Sequence, residues 1–300
     1  MTKLLKNKQP DEIPLRKIKK NPITPYILLL PAVFLFCMFV IYPFIKTLYL
    51  SFTLTNARGE VTRFFGLNNY LRLFKSESFW RSILVSFKFA VLVGVPSFLI
   101  GFVLALMASN QLRGSRIYEV MYSMPLAVAS APAAAIWFMI LNPATGILNH
   151  ILRTHNNWLS DPKIALISVA MVTVWCITGT TFIFLLTGFR NVPAELLESA
   201  SLDGANYFRR VIHVIVPVAS PQIFFVIFFD TIQSFQTFAQ IKLLTDGGPS
   251  YQTETLVFSL YRTAFLDARW ETACTMSVIL FLIIFLITRI EFLFEGKVNY

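Results

Sequence analysis

The sequence predicts an all-α polytopic membrane protein with six transmembrane helices, and three observations predict it. Of its 300 residues, 56% are hydrophobic and only 14% are charged, which is more apolar material than a globular core takes up. The 30 phenylalanines belong to that excess, and a water-facing surface cannot be built from what is left. Six apolar runs, roughly 26–49, 84–108, 117–141, 164–187, 217–241 and 271–290, match the length of about 20 residues that carries a helix across about 30 Å of hydrocarbon.

The chain opens on a basic segment, 1–25, which holds seven of the 26 lysines and arginines: Lys3, Lys6, Lys8, Arg16, Lys17, Lys19 and Lys20. A basic cluster directly ahead of an apolar run holds that end at the cytoplasmic membrane face. The net charge of +10 is therefore read as membrane-surface charge, and no nucleic-acid partner is expected. The run from Tyr26 to Tyr49 exceeds a signal-peptide core and no A-x-A site follows, so the first span is expected to be retained.

An even number of spans places both termini on one side, and the charge census names the side. Fourteen lysines and arginines lie in the 71 residues on the side of the termini, against eleven in the 89 residues of the opposite loops. Both termini are expected in the cytoplasm of a bacterial inner membrane. The division is then a cytoplasmic tail over 1–25, a six-helix permease-like bundle over 26–294 and a short cytoplasmic tail over 295–300. Lys88 falls within the second span near its outer end, where a long side chain snorkels.

The loops carry their own signals. Phe64, Phe65, Leu67, Tyr70, Leu71, Leu73, Phe74, Phe79 and Trp80 make 64–80 amphipathic, a helix or turn lying on the outer surface. Asn142-Pro143-Ala144-Thr145-Gly146 and Asp246-Gly247-Gly248-Pro249-Ser250 are turn chemistry. Proline enters several spans, at Pro31, Pro43, Pro96, Pro125 and Pro132, which membrane helices tolerate when neighbours satisfy the freed carbonyls.

Nothing in the sequence predicts catalysis. Gly296-Lys297 lacks the rest of a nucleotide-binding loop, and no G-x-S-x-G occurs. His150, His155 and His213 lack zinc spacing, and Cys37, Cys176 and Cys274 are isolated within apolar stretches. No metal and no cofactor is expected.

The longest inner loop, 188–216, is the informative one. Pro193 and the acidic Glu195 and Glu198 suit a helix start, Asp203-Gly204 stops that helix, and Asp203 is placed to cap a second. Glu198-Ser-Ala200-x-x-Asp203-Gly204-Ala205, followed by Pro217 and Pro221, resembles the E-A-A-x-x-D-G-A loop of binding-protein-dependent ATP-binding-cassette importer permeases. Ser199 stands where that pattern has alanine and Val211 where it commonly has phenylalanine. The resemblance implies that this loop is a coupling helix docking on an ATPase subunit. It also implies a second homologous permease, two ATP-binding subunits and an extracytoplasmic solute-binding protein, with ATP held by the partners.

Further stretches are similar to the carbohydrate branch of that family. They are Phe65-Gly66-Leu67-Asn68-Asn69-Tyr70, Arg113-Gly114-Ser115-Arg116 with Met124-Pro125, and Asn142-Pro143 with Gly146 and Asn149. Gly247-Gly248-Pro249, Thr253-Glu254-Thr255 and Tyr261-Arg262 with Ala264-Phe265 complete the set. Permeases for sn-glycerol-3-phosphate share them, so the resemblance leaves the solute open between a carbohydrate and a polyol phosphate.

The fifth run carries a polar stripe. Asp230, Gln233, Thr237 and Gln240 recur at spacings of 3, 4 and 3, with Gln236 beside them, so a continuous helix puts them on one face. Such groups either line an aqueous path for solute or hydrogen-bond to a neighbouring helix. An ion-driven secondary carrier is the alternative of another class, and Asp230 as the one clear mid-span acid counts against it.

The topology has a direct check. Single cysteines introduced near Asn191 and near Gly248 are expected to react with impermeant thiol reagents from opposite sides of the membrane. Labelling of both from outside only would overturn the six-span topology.

Overall fold

The computed structural model describes residues 24–109 and 115–295. The basic residues ahead of Thr24, the Arg113-Gly114 pair and the tail beyond Glu295 lie outside them. The chain divides into two compact units, Met1–Lys46 and Thr47–Tyr300.

Helix α1 (Tyr26–Ser51) is apolar up to Ile45 and carries Lys46 and Thr47 near its end. One turn of π-helix, Cys37–Ile41, interrupts it just ahead of Pro43. Proline has no N–H and its ring collides with the carbonyl four residues back, so widening that turn relieves the clash. A short antiparallel hairpin follows, β1 (Thr53–Thr55) against β2 (Val61–Phe64). It leads into the short helix α2 (Asn68–Phe74). The buried Asn69 clamps this cap: its Nδ2 donates to the carbonyls of Ser51 at 2.9 Å and Thr53 at 2.7 Å.

The amphipathic reading of 64–80 divides here. Residues 68–74 form α2, while Phe79 and Trp80 already belong to the first turn of α3 (Glu77–Ser109). Leu73 and Phe79 turn inward, and Phe64, Leu67, Leu71 and Trp80 remain exposed.

The third apolar run is not one straight helix. It consists of α4 (Ser115–Ser123), a 3-10 turn (Met124–Ala127) and α5 (Ser130–Ile140), and the two halves meet at 101°. Pro125 supplies no donor to the turn before it, and Val128 and Ala129 are extended. Pro132 sits in the first turn of α5, where a missing N–H costs nothing. After α6 (Ile147–Leu152) comes α7 (Ala165–Arg190), a straight span and the most buried of those described.

The loop after α7 contains α8 (Ala194–Leu202), and α9 (Tyr207–Val218) follows. Within α9, the π-turn Val211–Ile215 again precedes a proline, Pro217. The fifth run is α10 (Ser220–Gln236) and α11 (Ala239–Leu244), set at 76° to α9. Then α12 (Leu256–Leu266) and α13 (Trp270–Glu295) close the fold. Four described helices are thus long and apolar enough to span, or six spans if each bent pair counts as one.

Helices α3 and α7 share the most extensive packing in the structure. At one end Phe89, Val93, Val169, Val172 and Ile241 form a buried cluster. At the other, Ala105, Ala108, Phe182, Leu185 and Phe189 join Val192, Val211 and Ile215 of the loop region. The two helices approach closely at Gly101, where an added Cβ would lie 2.6 Å from Thr181 Cγ2. At Gly94 the nearest atom, Ser234 Oγ, would be 3.6 Å away.

That difference is testable. Gly101→Val is expected to force α3 off α7 at a cost of about 1–3 kcal/mol and to lower the yield of folded protein in membranes. Gly94→Ala is expected to leave the yield unchanged. Equal yields for the two variants would contradict this packing.

Candidate coupling loop and membrane cavity

Two regions carry the sequence-predicted site residues. The first is the loop after α7. Helix α8 starts after Pro193, which is extended at φ −56° and ψ 132°, and carries Glu195 in its first turn. It ends in a Schellman closure: Gly204 N–H donates to Ser201 O at 3.1 Å, and Ala205 N–H donates to Ala200 O at 2.9 Å. Gly204 has φ +77°, the left-handed conformation that this closure requires and that glycine adopts without a Cβ penalty.

Asp203 plays a different part from the one its spacing suggests. It is the C-cap of α8. The cap of the following helix is Asn206, whose Oδ1 accepts from Arg209 N–H at 3.0 Å. A short polar side chain two residues from a glycine turn was the available signal, and Asp203 obscured it. Arg210 ties the halves together by donating to Ser201 Oγ at 3.0 Å. Pro217 lies in the last turn of α9, just before the bend.

One side of this helix–turn–helix is anchored through Val192, Val211 and Ile215, with Leu197 packed against them. The other side is open. Leu202 is 90% exposed and Phe208 74%, with Glu198 and Asp203 exposed beside them. Ala200 and Ala205 are half-buried. The loop therefore projects two strongly exposed apolar side chains beside exposed carboxylates.

The second region is the fifth span, where the continuous helical face expected from the sequence does not exist. Helix α10 stops at Gln236, Thr237 is extended at ψ 119°, and α11 begins at Ala239. The break divides the stripe. Gln233, Gln236, Thr237 and Gln240 line a cavity of about 400 Å³ together with Ser130, Thr173, Cys176, Thr180 and the ring of Phe229. Pro125, Leu126 and Val128 of the break in the third span form its opposite wall. Two unwound segments thus face one chamber, lined by amides and hydroxyls.

Asp230 is not part of that chamber. It is 1% exposed and faces α7, where Thr181 Oγ1 lies 2.8 Å from Oδ1 and 3.0 Å from Oδ2. It borders a separate apolar groove with Phe87, Gly94 and Phe235. Among the described residues no lysine or arginine forms an ion pair with it. The regular 3, 4, 3 spacing gave no sign of this division, because Asp230 and Gln233 share one unbroken helix and still meet different neighbours, Thr181 for the acid and the cavity for the amide.

Sequence reasoning also missed Ser130, Thr173, Cys176 and Thr180 as cavity residues, although Thr173, Cys176 and Thr180 recur at spacings of 3 and 4 and so share one helical face. It missed a second intramembrane acid as well. Glu291 of α13 accepts from Thr231 Oγ1 at 2.9 Å. No group of three metal-ligating side chains occurs among the described residues.

Gly204 provides the check on the loop. A Cβ there meets nothing within 4 Å, so the subunit itself has room for a side chain. The cost lies in the backbone, about 1–2 kcal/mol for a left-handed non-glycine residue, and in any partner that approaches this turn. Gly204→Val and Gly204→Asp are expected to abolish ATP-driven uptake at near-normal abundance in the membrane. Glu198→Lys is expected to weaken retention of the ATPase more mildly. Full uptake by Gly204→Val would sink the assignment of the loop.

Comparison with known proteins agrees with this anatomy. Residues 73–300 match the family described as binding-protein-dependent transport system inner membrane component. The sn-glycerol-3-phosphate transport system permease protein UgpA of Agrobacterium fabrum is 35% identical over 286 residues, covering 93% of this chain and 97% of the relative. Its counterpart from Yersinia enterocolitica is 33% identical over 281 residues, covering 92% and 95%. The crystal structure of a bacterial ABC transporter involved in the import of the acidic polysaccharide alginate contains a chain that superposes with a TM-score of 0.82 at 21% identity. That match covers 92% of this chain and 96% of the other, and at such identity it speaks for the fold. The chain belongs to the binding-protein-dependent transport system inner membrane components.

Proposed function

We propose that this chain is one of two permease subunits of an ATP-binding-cassette importer, and that it carries a carbohydrate across the bacterial plasma membrane with both termini in the cytoplasm. The observation that carries the reading is the helix–turn–helix after α7, anchored on one side and apolar and unfilled on the other. Exposed leucine and phenylalanine at the end of a membrane bundle call for a partner. An ATPase subunit with a groove for a short helix fits them, one for each permease. ATP is then bound and hydrolysed on the partners, and this subunit performs no chemical step.

The cavity between the two broken spans is the solute path in this reading. Gln233, Gln236 and Gln240 each offer donors and an acceptor, which suits hydroxyl groups, and Phe229 and Phe238 offer ring faces. A second permease would supply the other wall, and an extracytoplasmic binding protein would deliver the solute. The sn-glycerol-3-phosphate relatives favour a second reading, in which the solute is a polyol phosphate. The lining here contains no cation, so a phosphate would take its counter-charge from the partner's half.

Vesicles containing both permeases, the ATPase and the loaded binding protein provide the test. Uptake is expected to require ATP, and Gln233→Leu is expected to reduce it about tenfold with the complex intact, the scale of losing one hydrogen bond to solute. Gln240 is buried and lies against the Cys176 thiol, so Gln240→Leu is expected to lower both uptake and assembly. Uptake that follows an ion gradient without ATP would refute the reading. Variants that dissociate the complex but transport normally in the surviving fraction would make these amides interface residues.

A further inference from the structure

Arg190 is the last residue of α7 and stands four positions ahead of the first residue of α8. Its guanidinium reaches sideways to two neighbouring elements while staying partly exposed. Nη2 donates to Glu119 Oε1 at 2.6 Å and Nη1 to Glu119 Oε2 at 3.1 Å, a two-point pairing with a carboxylate on α4. Nη2 also donates to the Ala108 carbonyl at 3.2 Å, in the last turn of α3. One side chain therefore holds the ends of three membrane segments.

The pair is singular in its reach. Of the other ion pairs among the described residues, Arg81–Glu77 and Lys242–Asp246 lie within one helical turn, and Arg262–Glu254 within one outer segment. Arg190–Glu119 joins two spans that are 71 residues apart in sequence. It does so across a crevice of about 400 Å³ lined by Val120, Ser123, Ile183 and Leu186. The pair bridges the two helices at the crevice, and Tyr122 packs edge-on against Phe182 beside it.

Both partners are one step from a functional feature. Beyond Arg190 the chain passes directly into α8. Beyond Glu119, α4 runs four residues to Ser123 and enters the 3-10 turn whose Pro125 and Leu126 form the cavity wall. Ser123 Oγ donates to the Glu119 carbonyl at 2.7 Å, so Glu119 and the start of the break form one hydrogen-bonded unit. That break rests on α7 at Gly179, where an added Cβ would lie 3.0 Å from Leu126 N.

We propose that Arg190 and Glu119 are positioning residues for transport: their two-point pair conveys displacement of the coupling helix to the broken third span and so sets the opening of the cavity. The proposal rests on the coupling-loop reading above. A push on α8 is delivered to Arg190 at its root. The pair then draws α4 along with α7, and the 3-10 turn pivots on its seat at Gly179. Lysine at 190 keeps the charge but not the two-point geometry.

The native thiol at Cys176 reports the cavity directly, since it lies in the lining. The experiment uses the full complex with its ATPase, with Cys37 and Cys274 replaced by serine. The rate of Cys176 modification by N-ethylmaleimide is measured without nucleotide and after trapping with ATP and vanadate. In the otherwise native complex the rate is expected to change by about fivefold on trapping, the lower range of coupling between linked sites.

In Glu119→Gln, ATP hydrolysis is expected to persist while the response of Cys176 falls below about twofold. Arg190→Lys is expected to fall between, and the charge exchange Glu119→Arg with Arg190→Glu to restore the response. An unchanged response in Glu119→Gln overturns the proposal, as does an unresponsive Cys176 in a complex that hydrolyses ATP. Loss of assembly in Glu119→Gln that the charge exchange restores only in yield, not in response, would make the pair structural and also overturn it. Failure of any ATPase to join the native chain would instead overturn the function proposed above.

Discussion

Hydrocarbon offers no hydrogen bonds, so a backbone group freed from a helix inside a membrane must find its partner within the protein. The two broken spans show how this chain meets that constraint. At the end of α10 the carbonyl of Gln233 loses a regular backbone donor because Thr237 leaves the helix, and the Thr237 hydroxyl takes over at 2.9 Å. At the end of α4 the Ser123 hydroxyl serves the Glu119 carbonyl, and Val128 N–H donates back to Pro125 O at 3.2 Å. Pro125 at one break and Gln240 beyond the other are buried, while Met124 and Leu126 stay exposed. Both breaks line one chamber with α7, so the polar cavity lies where the helices are interrupted.

The same constraint sorts the polar side chains of the fifth span. A carboxylate in an apolar setting needs a donor close at hand, and Asp230 finds one in Thr181 of α7. That contact lies where α3 and α7 are closest, at Gly101. Bulk at Gly101 would disturb both the helix contact and the hydroxyl that serves the acid. Amides can satisfy themselves with water or solute, and they occupy the chamber instead. Helix-directed bonding and cavity lining, which the spacing left as alternatives, are both present on α10: Asp230 bonds to α7, and Gln233 and Gln236 line the chamber from the same helix.

Much of the fold was legible in the sequence because bilayer thickness imposes a length that composition alone reveals. Four of the six apolar runs are spanning helices and the other two are bent pairs, and the stop at Asp203-Gly204 held, since a left-handed closure has few solutions other than glycine. What escaped was geometry that periodicity assumes away. Pro125 announced a perturbation but not a 101° turn, because membrane helices accommodate many prolines without breaking. Thr237 gave no warning, since threonine within a helix is ordinary. Asp203 and Asn206 are equally good caps by type, and only the left-handed Gly204 between them assigns Asp203 to the first helix and Asn206 to the second. The Arg190–Glu119 pair was out of reach for another reason: contacts 71 residues apart leave no periodic trace.

Helix α7 joins these parts, and its straightness has a consequence. A helix of 26 residues is about 39 Å long at 1.5 Å per residue, enough to run from the root of α8 past the cavity. Along it lie Thr173, Cys176 and Thr180 at the chamber, Gly179 under the break and Thr181 on the buried acid. Gly188 follows on Gln222, whose Cβ would be 2.7 Å from an added Cβ, and Arg190 ends the helix on Glu119. A rod fixed at so many points does not bend readily, while α4 and α10, each with a break at the chamber, do. In the function proposed above, a displacement of α8 would pass along this rod and be taken up at the two breaks. The interrupted helices are the ones that line the chamber, and the continuous helix is the one that ends at the root of α8.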